Sequence, residues 1–132
     1  MPKTAKQIIG EQGEEIACRY LEDGGFSVID RNYLRPWGEI DIVAKKLKKL
    51  YFIEVKTVSA DLSVTRETIG DQYRPEDNVH PQKLERMRKI IQSYLLAHNG
   101  DREVEWQFDV VTVRLDDVLK KAKVERIENV IL

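Results

Sequence analysis

The sequence predicts an α/β fold: a central mixed β-sheet of about five strands flanked by α-helices, in the order α-β-β-β-α-β-β. Three observations carry this expectation. Segments 4–23 and 81–98 repeat apolar residues at helical spacing. Three β-rich runs lie between them, broken by turn signals, and two more follow. The first three runs can pair as an antiparallel meander, and the second helix then crosses over to lay the fourth strand alongside. Helices packed against a sheet give one layered unit, so the 132 residues are expected to form a single domain, 1–132.

The elements follow in order. Thr4 is the expected N-cap of the first helix, whose Ile9, Gly13, Ile16, Ala17, Tyr20 and Leu21 share one side. Gly24-Gly25 stops it. Gly10 and Gly13 each cost up to about 1 kcal/mol against alanine in a helix. They either permit close approach to the sheet or fray the first turns. Strands are expected at 26–33, 39–44 and 50–57, with Pro36-Trp37-Gly38 as one turn and Lys45–Lys49 as the next. The polar stretch 59–79 reads as a long loop of functional type, with room for a short helix near 64–69. Pro81 suits the first turn of the second helix and Gly100 the position after its end. Its apolar stripe is Leu84, Met87, Ile91, Tyr94 and Leu95. A fourth strand at 104–113, one helical turn at Asp116–Lys121 and a last strand at 124–131 complete the chain.

Composition narrows the function classes. Hydrophobic residues make up 42% and charged residues 34%, as in an ordinary globular protein. No apolar run approaches the roughly 18 residues of a membrane span, so no membrane partner is expected. No signal-peptide pattern is visible at the N-terminus. The single cysteine, Cys18, rules out an internal disulfide and any multi-cysteine zinc site. Together these point to a cytoplasmic protein. The net charge of −1 does not favour nucleic-acid binding, but the basic residues cluster, at 45–49 and again at 83–89.

The chemistry is concentrated in Gly38-Glu39-Ile40-Asp41-Ile42-Val43 and Phe52-Ile53-Glu54-Val55-Lys56. Strand interiors avoid charge, because an unpaired buried carboxylate is costly. Alternation puts Phe52, Glu54 and Lys56 on one face and Glu39, Asp41 and Val43 on one face of the neighbouring strand. If the hairpin register joins those faces, Asp41 and Glu54 converge on one ion. Two carboxylates and water suit Mg²⁺, with Mn²⁺ as a substitute, and Lys56 would stand beside an attacking water. Glu14 lies in helical phase with Ala17 and Leu21, so it points inward as a further metal ligand or supporting acid. Glu39 is either a ligand or a solvated acid after a turn glycine. Lys83 borders the apolar stripe of the second helix and can pair with Glu54 or contact a phosphate. Gln82 sits beside it at the helix start, where backbone N–H groups favour an anion.

With these residues in place, the chain resembles the PD-(D/E)xK nuclease superfamily. More closely, Gly13-Glu14, Ala17, Tyr20-Leu21, Asn32, Gly38-Glu39-Ile40-Asp41, Glu54-Val55-Lys56-Thr57, Lys83 and Phe108-Asp109-Val110-Val111 look like the YraN-like family, which is similar to Holliday-junction resolvases. The resemblance covers the chain from about Gly10 onward. It implies a restriction-endonuclease-like fold. It implies Asp41, Glu54 and the Val55 carbonyl as metal ligands, Lys56 as the catalytic lysine and Glu14 as the helical acid. It implies metal-dependent cleavage of DNA, with branched or junction DNA as the fold-level analogy. A resolvase would act as a homodimer, though the sequence offers no clear dimer patch. The rival from another class is a catalytically inactive nuclease-fold module that binds nucleic acid or a protein partner. The chain departs from the family pattern at Val58 and Gln107, where the family usually carries arginines, and in a longer 59–79 segment. These departures touch expected phosphate contacts and the substrate rim, and leave the metal core intact.

Other residues have plainer readings. Lys45–Lys49 is a solvated hairpin tip, and Trp37 packs a turn, with base stacking as the sharper option. Trp106 belongs to the core. Asp109 lies on the other face, to support the site or face solvent. His80 belongs to the start of the second helix, His98 suits its end, and Cys18 is an inert, partly buried thiol.

Overall fold

The computed structural model describes residues 2–59, 61–62, 81–100 and 102–132. One sheet holds β1 (Ser27–Arg35), β2 (Gly38–Lys46), β3 (Lys49–Ser59), β4 (Trp106–Asp116) and β5 (Lys121–Ile127) in that spatial order. Helix α1 (Ala5–Asp23) precedes β1, and α2 (Pro81–Asn99) lies between β3 and β4. The β1–β2, β2–β3 and β4–β5 pairs are antiparallel, and β3–β4 is parallel. The fold is thus the expected mixed α/β, nuclease-like sheet. The one parallel pair is the one joined by a helical crossover, as chain geometry demands.

The two helices cover opposite faces. Ala17, Cys18 and Leu21 of α1 pack on Phe26, Ile42, Ala44, Ile53, Val111 and Val113. Met87, Ile90, Ile91 and Tyr94 of α2 pack on Tyr33, Ile40, Val43, Phe52, Phe108 and Val110. The central strands β3 and β4 are therefore buried on both sides, which explains their near-continuous apolar runs. Trp106 packs against the α2-side core, edge-on to Phe52 with ring centroids 5.8 Å apart.

Local chemistry sets the boundaries. Thr4 caps α1 in a capping box: its hydroxyl accepts from Gln7 N (3.1 Å), and Gln7 Oε1 accepts from Thr4 N (2.9 Å). Of the two glycines in α1, only Gly13 is needed for contact. A Cβ there would overlap the Thr57 side chain, with Cγ2 at 2.6 Å, whereas one at Gly10 would meet nothing within 4 Å among the described residues. Gly100 follows α2 at φ 60°, the left-handed conformation that ends helices.

Two expectations are corrected. Asp116–Lys121 is not a helical turn but the tight connection of the β4–β5 hairpin, with Asp116 paired to Lys121. Asp116 Oδ1 accepts from Val118 N and Leu119 N, and Oδ2 accepts from Leu62 N. Those bonds satisfy a turn rather than start a helix. The last strand ends at Ile127 instead of 131. Beyond it Asn129 takes φ 54° and donates its N–H to Asp109, which draws the backbone out of the ladder. Strands β1 to β4 begin or end one to three residues from their expected bounds. The expectations for 63–80, including the short helix at 64–69 and His80, fall outside the described residues.

Candidate metal centre

The close approach of α1 to β3 is where the site begins. With only a hydrogen at Gly13, the helix settles on Thr57, and the next residue, Glu14, hangs over the edge of β2. Asp41 and Glu39 meet it there. One carboxylate oxygen from each of Glu14, Glu39 and Asp41 lies within 4.8 Å of the others. Among the described residues, this is the one group of three or more acids, histidines or cysteines brought together in this way.

Strand alternation is interrupted at this point. Ile40 and Ile42 are two residues apart, yet Ile40 packs on the α2 side and Ile42 on the α1 side. Across the pair, between the partners Arg31↔Ile42 and Tyr33↔Ile40, Asn32 adopts φ 52°. Asparagine tolerates that conformation better than most residues. The β2–β3 ladder also ends at Ile42↔Ile53. Beyond it Asp41 Oδ2 accepts the Val55 N–H at 2.8 Å, a side chain standing in for a ladder carbonyl. In a strand, a residue's N–H and C=O point to the same side, so the Val55 carbonyl faces the same gap.

The expectation that Glu39, Asp41 and Val43 share a face is corrected accordingly. Glu39 and Asp41 reach Glu14 of α1, while Val43 is buried on the α2 side. Asn32 is the residue whose role the sequence reading missed. With its amide nitrogen turned to the acids, it donates to Glu39 Oε1 at 2.9 Å and to Glu14 Oε2 at 3.3 Å. An asparagine opposite an intrastrand aspartate was the available signal.

Crowded acids hold their protons. Burial raises the Asp41 pKa, and the charges of Glu14, Glu54 and Glu39 raise it further. The Val55 N–H works in the opposite direction, and the result is a pKa of about 7. Burial and Glu39 also raise Glu14, against Arg31 and Asn32.

Glu54 is buried and stands apart from the triad, in register with the α2-side residue Phe52. Its Oε1 pairs with Lys83 of α2 and lies 3.5 Å from Lys56 Nζ. Its Oε2 is buried without a hydrogen-bond partner among the described residues. Glu54 is close enough for its charge to raise Asp41, so the two acids approach the same gap from opposite sides rather than across one shared face. Burial and the neighbouring Lys83 lower the Lys56 pKa. Burial acts to lower Lys83 as well, but its bonds to Glu54 and Lys56 and the charges of Glu54 and Asp41 together outweigh it and the net shift is upward. Lys83 therefore pairs with Glu54, one of its two expected roles. Gln82 is exposed beside it and lines a neighbouring cavity.

Other residues are placed elsewhere. Gln107 is buried and donates its amide to Asp109 Oδ1 at 2.7 Å, so it is no part of a substrate rim. Asp109 neither supports the acids nor faces solvent. It is fully buried in an ion pair with Arg126 Nε at 3.0 Å. Val58 is half-buried opposite Arg114 of β4. His98, in the last turn of α2, stacks on Tyr94 with ring centroids 4.0 Å apart. The lysine turn is partly tied down, since Lys46 Nζ donates to Gly24 O at 2.9 Å.

A divalent cation fits this donor set. The oxygens are hard ligands, burial and then the neighbouring acids leave Asp41 poised near neutrality, and Glu54 Oε2 is a buried acceptor with no donor among the described residues.

The family model described as "Uncharacterised protein family UPF0102", the same YraN-like family that the motifs resemble, matches residues 13–113. A UPF0102 protein of Sulfurovum sp. is 39% identical over 96% of this chain and 96% of its own length. One from Moorella thermoacetica is 38% identical over 90% and 91%. One from Campylobacter lari is 33% identical over 86% and 90%.

Proposed function

The chain belongs to the uncharacterised protein family UPF0102, and we propose that it is a metal-dependent nuclease that hydrolyses DNA phosphodiester bonds. The observation that carries this reading is the convergence of Glu14, Glu39 and Asp41 beside Glu54, Lys56 and Lys83. Surface acids and lysines do not need a broken ladder and a helix glycine to bring them together.

Asp41, Glu54 and the Val55 carbonyl would hold Mg²⁺ or Mn²⁺, with Glu14 and Glu39 completing the acidic rim. A cation there supplies charge neutralisation at the phosphate and a more acidic bound water. The remaining work falls to the chain's own groups. Lys83 fixes Glu54 by pairing with it from α2. Lys56, its proton loosened by burial and by Lys83, is set to orient a water and to exchange a proton with it. Asn32 holds Glu14 and Glu39 at a fixed separation.

The test is incubation with single-stranded, duplex, flap and four-way DNA in Mg²⁺, Mn²⁺ or EDTA, beside Asp41→Ala and Lys56→Ala. We expect cleavage that needs metal, is lost in Asp41→Ala and falls about 100-fold or more in Lys56→Ala. Binding without cleavage of any substrate would instead favour a nuclease fold kept as a binding module, the reading that the near-neutral charge supports. Calorimetric silence at millimolar Mn²⁺ with DNA present would sink the metal reading.

A further inference from the structure

Between the β1–β2 turn and the first turns of α2 lies a cavity of about 440 Å³, in the range of small-ligand sites. Its apolar lining includes the buried side chains of Met87 and Ile90. Trp37 lines it too and remains 49% exposed, so about half of it stays open to solvent. Lys83 and Arg86 add two positive charges. Two lining residues also belong to the acidic site: Glu39, within 4.8 Å of Glu14 and Asp41, and Lys83, paired with Glu54. The cavity therefore adjoins the point where a phosphodiester would be held.

An indole beside apolar side chains, flanked by cations, suits a flat π-ring attached to a phosphate. A base in continuous duplex is stacked and paired, and reaches such a cavity only at the cost of leaving the helix. An unpaired base has no such cost. We infer that the cavity receives the unstacked base of a nucleotide next to the scissile phosphate, which makes the substrate class DNA with unpaired nucleotides (single strands, flaps or branch points) rather than continuous duplex. The inference rests on the nuclease reading for the position of the phosphate and goes beyond it in naming the substrate.

The experiment measures binding apart from cleavage. Fluorescence anisotropy in Ca²⁺ would compare a labelled single strand with its blunt duplex, for the wild type, Trp37→Ala and Arg86→Gln, with Mn²⁺ calorimetry on each protein. The wild type should bind the single strand about tenfold or more tighter than the duplex. Trp37→Ala should remove that preference, with unchanged Mn²⁺ binding and thermal unfolding. Arg86→Gln should weaken both DNAs alike and lower the salt slope by about one. Equal wild-type affinity for the two DNAs, no DNA binding by the wild type, or an intact preference in Trp37→Ala would each overturn the inference. Loss of preference in Trp37→Ala without any Mn²⁺ binding would leave the base site standing and remove the metal reading instead.

Discussion

At the scale of single residues, Asp41 shows why the site is poised. Its carboxyl carries a pKa of about 7 in the folded chain against an ordinary 3.8. A raised pKa means that the folded state holds the proton more tightly than the unfolded one. The metal-free protein therefore has its full share of stability from this group below about pH 4, and loses it as pH rises through about 7. Asp41→Asn removes the charge and with it the loss. In EDTA above pH 7, Asp41→Asn should be more stable than the wild type, by at most about 4 kcal/mol. Below pH 4 the two should melt alike. Thermal unfolding from pH 4 to 8.5 checks both arms. In the wild type Mn²⁺ competes with the same proton, so its affinity should rise as pH is raised from 6 to 8, measured by calorimetry. A flat wild-type profile, or a destabilised Asp41→Asn at pH 8, would contradict this account.

At the scale of elements, the site depends on how closely α1 lies on β3. Gly13 faces the Thr57 side chain with no room for a methyl group. Gly13→Ala gains helix propensity, about 1 kcal/mol, yet must push the helix from the sheet or force Thr57 aside. We expect a net loss of about 1–3 kcal/mol in urea unfolding and weaker Mn²⁺ binding, because Glu14 moves with the helix. Gly13→Ala combined with Thr57→Gly should recover part of the stability, since the overlap is pairwise, whereas Thr57→Ala would leave its Cβ 2.7 Å from the new methyl and recover little. Gly10→Ala meets nothing among the described residues and serves as the control, expected to be neutral or mildly stabilising. The element boundaries tell the same story in milder form. Thr4 and most of the two apolar stripes were legible because capping and 3.6-residue spacing are local properties. The Asp116 turn was misread because an acid after a strand looks like a helix start. Two of the N–H groups it captures, Val118 and Leu119, lie in the turn itself, and the third, Leu62, lies beyond β3.

At the scale of the molecule, a second charged arrangement stabilises rather than reacts. Asp109 is fully buried, accepts from Gln107, Arg126 and Asn129, and is neutralised by Arg126. The Arg126 guanidinium also lies over the Phe26 and Tyr51 rings, 4.9 and 5.7 Å from their centroids. It thus links β5, β4 and the start of β1 across the sheet. Arg126→Ala leaves a buried carboxylate unpaired, and should cost about 3–5 kcal/mol in chemical denaturation. Asp109→Asn in the same chain should restore part of that, and DNA cleavage by the folded fraction should be unaffected. Loss of activity without loss of stability would place Asp109 in the site after all. No helix among the described residues is long and apolar enough to cross a membrane.

The sequence by itself determined the element order, the mixed sheet with one helical crossover and most of both apolar helix stripes, though Tyr20 of the first is exposed while Cys18 and Ile90, outside the expected stripes, are buried. Periodicity, caps and turns act over a few residues, and charge inside an apolar strand stands out without any coordinates. Tertiary structure alone decided how those charges meet. Strict alternation would have put Val43 with Asp41, but Asn32 at φ 52° and the end of the β2–β3 ladder switch β2 from one face to the other. That switch gathers Glu39 and Asp41 beneath Glu14 and leaves Glu54 to Lys83. The partner of Asp109 was equally invisible, since Arg126 lies seventeen residues away and reaches it only through the β4–β5 pairing. Like charges do not assemble through any preference of their own. Packing elsewhere in the fold holds them together, and that packing is a property of the whole chain.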